Sequence, residues 1–183
     1  MPKTLLSTYN NYPYKPGGGV VKRFLWYYVN LIFFKSGWFP FNAFKIFLLR
    51  LFGAQIGNGV IIKPGVNIKY AWNLKIGTHS WIGESVWIDN LAPVIIADNV
   101  CISQGAVLQT GSHNYKKESF ELITGNITIE DGVWIGCGAI LNQGITAGSH
   151  SIVTSGSVAN KNLEPYFIYQ GNPAVKLRPR IME

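Results

Sequence analysis

The sequence predicts an all-β fold: a parallel β-helix of six-residue repeats, preceded by a short helical segment. Three observations predict it. Aliphatic residues recur at a fixed step of six, the residues four places after them are small or β-branched, and glycine follows several of the aliphatics directly. The step links Ile56, Ile62 and Ile68; Ile76, Ile82 and Ile88; Ile96, Ile102 and Leu108; Ile129, Ile135 and Leu141; and Ala147, Val153 and Ala159. Thirteen of these fifteen positions are Ile, Leu or Val. A helix would give period 3.6 and a half-buried strand period 2, and neither yields a strict six. A triangular coil does. Each hexad makes one flat strand and its corner, and three hexads make one turn, stacked roughly 4.8 Å above the last. No coil buries its aliphatic face alone, so the stack is the folding unit. A β-sandwich has no reason to hold one step over fifteen positions.

The second signal runs through Val60, Val66, Ser80, Val86, Ala92, Val100, Ala106, Ser112, Val133, Ala139, Ile145, Ser151 and Ser157, nearly all small or β-branched and suited to a corner. The third is Gly57, Gly77, Gly83, Gly136 and Gly148, each just after its aliphatic leader. Breaks in the series are informative as well. Two-residue insertions follow the Ile68 and Ile88 hexads, and Leu108 to Ile129 is a step of 21. About fifteen extra residues therefore leave the prism in a loop over 111–125, which carries Gly111-Ser112-His113-Asn114-Tyr115. Long loops on a rigid scaffold are where function usually sits.

The termini read differently. Among the 183 residues the net charge is +7, and the whole excess lies in residues 1–55, where Lys3, Lys15, Lys22, Arg23, Lys35, Lys45 and Arg50 face no acid. Twelve of the 25 aromatics lie between Phe24 and Phe52. Two short helices are expected around a turn at Gly37 to Pro40. They would cap the open first coil, which a solenoid requires. Neither apolar run reaches the roughly 18–20 charge-free residues of a bilayer span. The basic, aromatic character of residues 20–52 also fits peripheral contact with an anionic membrane surface. The expected organisation is a helical cap over 1–52, the β-helix over 53–162 and a basic tail over 163–183. Residues 1–19 show no apolar leader and the chain has two cysteines, so a cytoplasmic setting is the expectation, with the inner membrane face as the place of any peripheral contact.

The sequence resembles the hexapeptide-repeat acyltransferases, whose fold is a left-handed parallel β-helix. It is most similar to O-acetyltransferases of the colanic-acid-biosynthesis type, relatives of the galactoside and maltose acetyltransferases. The resemblance covers roughly residues 45–180. It is carried by Leu51-Phe52-Gly53-Ala54-Gln55-Ile56-Gly57, Thr110-Gly111-Ser112-His113, Val133-Trp134-Ile135-Gly136 and Gly171-Asn172-Pro173-Ala174. It implies acetyl-CoA as co-substrate, a homotrimer with its sites between neighbouring prisms, and a sugar or oligosaccharide acceptor. The chain departs from the family pattern at Asn114, where the family carries Asp.

Acetyl transfer from a thioester to an alcohol needs a base for the hydroxyl proton and an acid for the leaving thiolate. A histidine does both. Of the three histidines, His79 and His150 fall at ordinary turn positions, whereas His113 stands where the chain leaves the prism. The resemblance makes His113 the base of a direct transfer in a ternary complex. It further implies that Trp134 and Gly136 line the thioester end of the coenzyme groove, that Ser155, Gly156, Asn160 and Lys161 follow the pantetheine arm, and that Lys176, Arg178 and Arg180 meet the phosphates. Asp89, Asn90 and Trp87 are the expected acceptor contacts, with Trp81 and Trp87 stacked on one face. Cys101 and Cys137 lack a neighbouring cation, so a cysteine nucleophile is disfavoured.

Other readings differ in what they require. A carbonic anhydrase on a similar helix needs three zinc-binding histidines, two close in sequence, and here the intervals are 34 and 37, so no metal is expected. An acyltransferase for an amino sugar or serine would share the chemistry. A non-catalytic scaffold has no use for a long loop bearing histidine. No nucleic-acid-binding motif accompanies the basic residues.

Overall fold

A computed structural model describes residues 3–183. Its centre is a parallel β-helix of five full coils. The first has strands β1 (Gln55–Ile56), β2 (Ile61–Ile62) and β3 (Asn67–Ile68); the second β4 (Leu74–Ile76), β5 (Trp81–Ile82) and β6 (Trp87–Asp89); the third β7 (Val94–Ile96), β8 (Cys101–Ile102) and β9 (Val107–Gln109). After a hairpin of β10 (Gly111–His113) and β11 (Leu122–Thr124), the fourth coil has β12 (Ile127–Ile129), β13 (Trp134–Ile135) and β14 (Ile140–Leu141). The fifth has β15 (Thr146–Ala147), β16 (Ile152–Val153) and β17 (Val158–Ala159). Stacking gives three parallel faces: β1-β4-β7-β12-β15, β2-β5-β8-β13-β16 and β3-β6-β9-β14-β17. The leaders align in register, as in Ile56↔Ile76 and Ile135↔Val153.

The hexad explains this geometry. Its leading aliphatic and the residue four later both point inward, and nearly all are buried in one continuous core. Ser112 is the exception; it is only half-buried because it belongs to the hairpin. Glycine after the leader answers a close approach of backbones. A Cβ on Gly136 would lie 2.5 Å from the Ser155 nitrogen, and one on Gly57 would lie 2.7 Å from the Gly77 carbonyl carbon.

The helical segment is α1 (Gly19–Val29), continued by a π-helical stretch over Asn30–Lys35, then α2 (Asn42–Leu51). It closes the edge of the first coil, where a solenoid has backbone groups with no coil beneath. The carbonyls of Ile56, Ile62 and Ile68 accept hydrogen bonds from Arg50 Nη2 at 2.7 Å, Lys45 Nζ at 3.4 Å and Trp26 Nε1 at 3.0 Å. Asn42 accepts from the Ile62 amide and donates to the Val60 carbonyl, both at 2.8 Å. Asn30 accepts from the Ile68 amide at 3.1 Å. Each terminal strand thus meets a polar side chain in place of a missing neighbour. Lys45 is fully buried there, and burial holds its ammonium below the usual lysine range.

At the other end, β18 (Phe167–Gly171) adds in parallel to β16, and β19 (Ala174–Pro179) folds back antiparallel on it. Asn172-Pro173 forms the turn between them.

One expectation fails. Trp81 and Trp87 do not share a face: Trp81 lies on the second face and Trp87 on the third, because six residues advance the chain by one side of the prism. The aromatic that does share the second face with Trp81 is Trp134, two coils on. The segment over 111–125 leaves the prism as expected, and its two arms pair as a hairpin through Gly111↔Thr124, Ser112↔Ile123 and His113↔Leu122.

Candidate active site

Both small insertions and the hairpin leave the prism at one corner, between the third face and the first, in three successive coils. The site is built there. Polar staples join the three departures. Asn90 is fully buried; its Oδ1 accepts from the Tyr70 amide at 2.9 Å and its Nδ2 donates to the Tyr70 carbonyl at 2.6 Å. Thr110, also fully buried, donates to the Asp89 carbonyl at 2.8 Å and accepts from the Ala92 amide at 3.0 Å. Asn73 donates to the Asn90 and Leu91 carbonyls. The expected role of Asn90 as an acceptor contact is therefore corrected: both ends of its amide are committed to holding the corner.

His113 ends β10 and is half-buried. Its Nδ1 stands 2.9 Å from the Phe120 carbonyl, which can only accept, so in the neutral imidazole Nδ1 carries the proton and Nε2 is the acceptor. The imidazole lies flat on the Phe120 ring, with centroids 4.4 Å apart and planes 7° apart, and Tyr9 stands 5.6 Å away. Phe120 has φ +48°, a left-handed conformation that an L side chain adopts at a cost. That conformation aims its carbonyl at His113. Asn114 is turned away; its Oδ1 accepts from the Lys116 amide at 3.2 Å. The hairpin tip is held by the Lys117–Glu121 ion pair at 2.8 Å, which lowers the Glu121 carboxyl below its usual range.

In front of His113 lies a cleft of about 390 Å³ bounded by Lys69, Asp89, Gln109, Tyr115 and Phe120. Asp89 is paired with Lys69 at 2.9 Å. A neighbouring cleft of about 520 Å³ reaches the same histidine and is bounded by Tyr9, Asn11, Tyr14, Arg23 and Tyr70. Sequence reasoning missed Tyr9, Tyr14, Arg23, Lys69 and Tyr70. The N-terminal stretch had no period to read; its only signal was tyrosine at 9, 12 and 14. It runs along the site corner, with the Leu5 amide bonded to the Glu118 carbonyl at 2.8 Å and the Tyr14 hydroxyl to the Leu91 carbonyl at 3.1 Å. Burial, then the neighbouring Tyr70 and Asp89, push the Tyr14 phenol above its usual range.

The expected coenzyme residues do not gather in one place within the chain. Gly136, Ser155 and Gly156 stack at the corner between the second and third faces, and Trp134 is exposed on the second face with its Nε1 2.9 Å from Ser103 Oγ. Asn160 and Lys161 are exposed after β17, at the corner that bears the hairpin two coils earlier. Lys176 and Arg178 are exposed on β19. Lys176 is paired with Glu164 at 2.6 Å and sits 3.5 Å from the Phe167 ring centroid. Arg180 is half-buried, and its Nη1 donates to the Gly132 and His150 carbonyls at 3.0 and 3.1 Å, which ties the tail to the prism. Burial pushes the Cys101 thiol up, against thiolate chemistry. Among the described residues no group of three or more His, Cys, Asp or Glu is placed to hold a metal.

No family model matches the chain. Individual relatives do. The Escherichia coli K12 protein named WcaF, for a colanic acid biosynthesis acetyltransferase, is 35% identical over 167 residues, covering 90% of this chain and 91% of its own. A hexapeptide-repeat acetyltransferase of Vibrio cholerae O1 biovar eltor, solved with acetyl-CoA, aligns with TM-score 0.79 and 30% identity over 88% of each chain. A galactoside acetyltransferase solved with coenzyme A aligns with TM-score 0.77 and 25% identity over 88% of this chain and 82% of its own. With five coils in register, a histidine hairpin leaving the third of them, and this extent of likeness, the chain belongs to the hexapeptide-repeat acetyltransferases.

Proposed function

We propose that the chain transfers an acetyl group from acetyl-CoA to a sugar hydroxyl of a polysaccharide or oligosaccharide precursor, with His113 as general base. The observation that carries this is His113 lining a polar cleft with Nδ1 fixed on the Phe120 carbonyl, which leaves Nε2 of the neutral ring as the acceptor. In this reading Nε2 takes the proton of the acceptor hydroxyl as the oxygen attacks the thioester carbon. The Phe120 carbonyl steadies the imidazolium, which then returns the proton to the departing thiolate. Asp89 and Trp87 contact the acceptor. Names of the relatives support the donor and a sugar acceptor.

The separation of the expected coenzyme residues over two corners supports a trimer, in which one chain's hairpin meets a neighbour's prism and completes the groove. The test is His113→Ala. Turnover should fall by roughly 100-fold or more, the usual scale for losing a general base, while acetyl-CoA still binds by calorimetry and the protein sediments as three chains. Retained turnover would remove His113 from the role.

The N-terminal helices support a further reading, peripheral contact with an anionic membrane. They and the turn between them expose Phe24, Tyr27, Trp38, Phe41 and Phe47 beside Lys22, Arg23 and Lys35, with no acid in residues 1–55. No described helix is long and apolar enough to cross a membrane.

A further inference from the structure

A third cavity, about 410 Å³, lies between α1 with its π-helical extension and the third face of the prism. Its walls include Arg23, Tyr27, Lys35, Lys69, Trp87 and Asp89. It is continuous with the site already described: Lys69 and Asp89 also bound the cleft in front of His113, and Arg23, Lys69 and Tyr70 bound the cleft beside it. Each volume suits a small-molecule or monosaccharide-sized group, within the roughly 300–1,000 Å³ of ligand clefts.

Its chemistry is not that of a neutral sugar pocket. Three cations face one carboxylate, a local charge of +2. Asp89 is matched by Lys69, which leaves Arg23 and Lys35 without an acidic partner among the described residues. Helix capping does not explain Arg23, because the coil-edge carbonyls are taken by Trp26, Lys45 and Arg50. Aromatic faces stand beside these cations: Trp87 is 44% exposed on its strand and Tyr27 is 62% exposed on α1. Cations with a planar fork and an ammonium suit phosphate oxygens, and aromatic faces suit the apolar face of a sugar ring.

We infer that this cavity is an anion subsite for the acceptor, taking a phosphate or pyrophosphate joined to the sugar whose hydroxyl reaches His113. The inference rests on the acetyltransferase reading of the cleft and adds the acceptor's class: a sugar phosphate or diphosphate ester. The subsite opens at the helices that expose the basic aromatic face, so the phosphate end of the acceptor points toward that face and the acetylated hydroxyl toward the hairpin.

The experiment uses the full chain saturated with acetyl-CoA, which fills the coenzyme's own phosphate contacts, and titrates it with inorganic pyrophosphate. Saturable binding is expected near one per chain. It should weaken about tenfold or more in the double variant Arg23→Gln/Lys35→Gln, the scale of losing two charge-assisted contacts, with acetyl-CoA affinity unchanged. No binding, or equal binding by the variant, would overturn the subsite. A short prenyl diphosphate and uridine diphosphate, each run as competitor, distinguish a lipid-borne from a nucleotide-borne phosphate. Preference for either one supports the subsite and names its source. If acetyl-CoA itself does not bind, the acetyltransferase reading fails separately, and the same wild-type and variant comparison is made on the free chain. Both side chains are at least partly exposed and make no fold-supporting bonds, so the variant should melt with the wild type.

Discussion

At the scale of single residues, two glycines set stability apart from activity. A Cβ on Gly136 meets the Ser155 backbone nitrogen, which cannot yield without shifting a coil. Gly136→Ala should cost about 1–3 kcal/mol and lower the melting temperature by roughly 3–10 °C. A Cβ on Gly111 meets Leu91 Cδ1 at 2.5 Å, the end of a flexible side chain that borders the cleft. Gly111→Ala should melt close to wild type and alter turnover instead. Equal melting losses would contradict the distinction. The same residues show what a sequence reveals. Gly136 was legible because its spacing repeats the coil, and His113 because it interrupts that spacing. Asn90 was misread because a polar side chain in a turn looks the same whether it meets a ligand or the chain's own backbone; only the backbone groups around it decide.

At the scale of elements, α1 and α2 act as a substitute coil. Lys45 supplies one bond to the open edge, yet its ammonium is buried with a long contact of 3.4 Å. Burial lowers its pKa in the folded chain below the ordinary 10.5. The unfolded chain then holds that proton more tightly, so Lys45 destabilises the fold at neutral pH. The cost fades as pH rises through the folded value toward 10.5. Compared by urea denaturation, wild type should therefore gain on Lys45→Met as pH rises from about 7 to 10. A difference independent of pH would show that Lys45 holds its proton as tightly in the fold as in the unfolded chain. The helices were legible from their apolar runs, whereas their pairing with particular carbonyls was not, because that register is set by tertiary packing. The hairpin was visible only as an excess of length, since its antiparallel pairs carry no period.

At the scale of the whole molecule, the prism is an even stack and its asymmetry lies at one end. The N-terminal helices leave large apolar side chains in solvent, Trp38 and Phe41 each 65% exposed, in a region without a single acid. The proposed contact with anionic lipid makes this patch its docking surface. The full chain should float with vesicles containing phosphatidylglycerol at low salt and far less with phosphatidylcholine alone. Trp38→Glu/Phe41→Glu should lose that binding and keep acetyl-CoA affinity. Point substitutions are required, because deleting the helices would also strip the coil edge of Trp26, Asn30, Asn42, Lys45 and Arg50. Absence of flotation at every composition would leave the segment as a cap alone.

The hairpin departs and returns without disturbing the stack. Thr110 accepts a hydrogen bond from the Gly125 amide at 2.9 Å, closing the neck, and Ile127 to Ile129 rejoin the first face directly above Val94 to Ile96. The register of the coils is thus kept across that neck. Such a joint separates two histories: coils can be conserved for packing while the tip changes length and lining under selection for a new acceptor. Exchange of residues 111–124 among relatives that keep the Thr110–Gly125 clasp is the natural unit by which this architecture would diversify its chemistry.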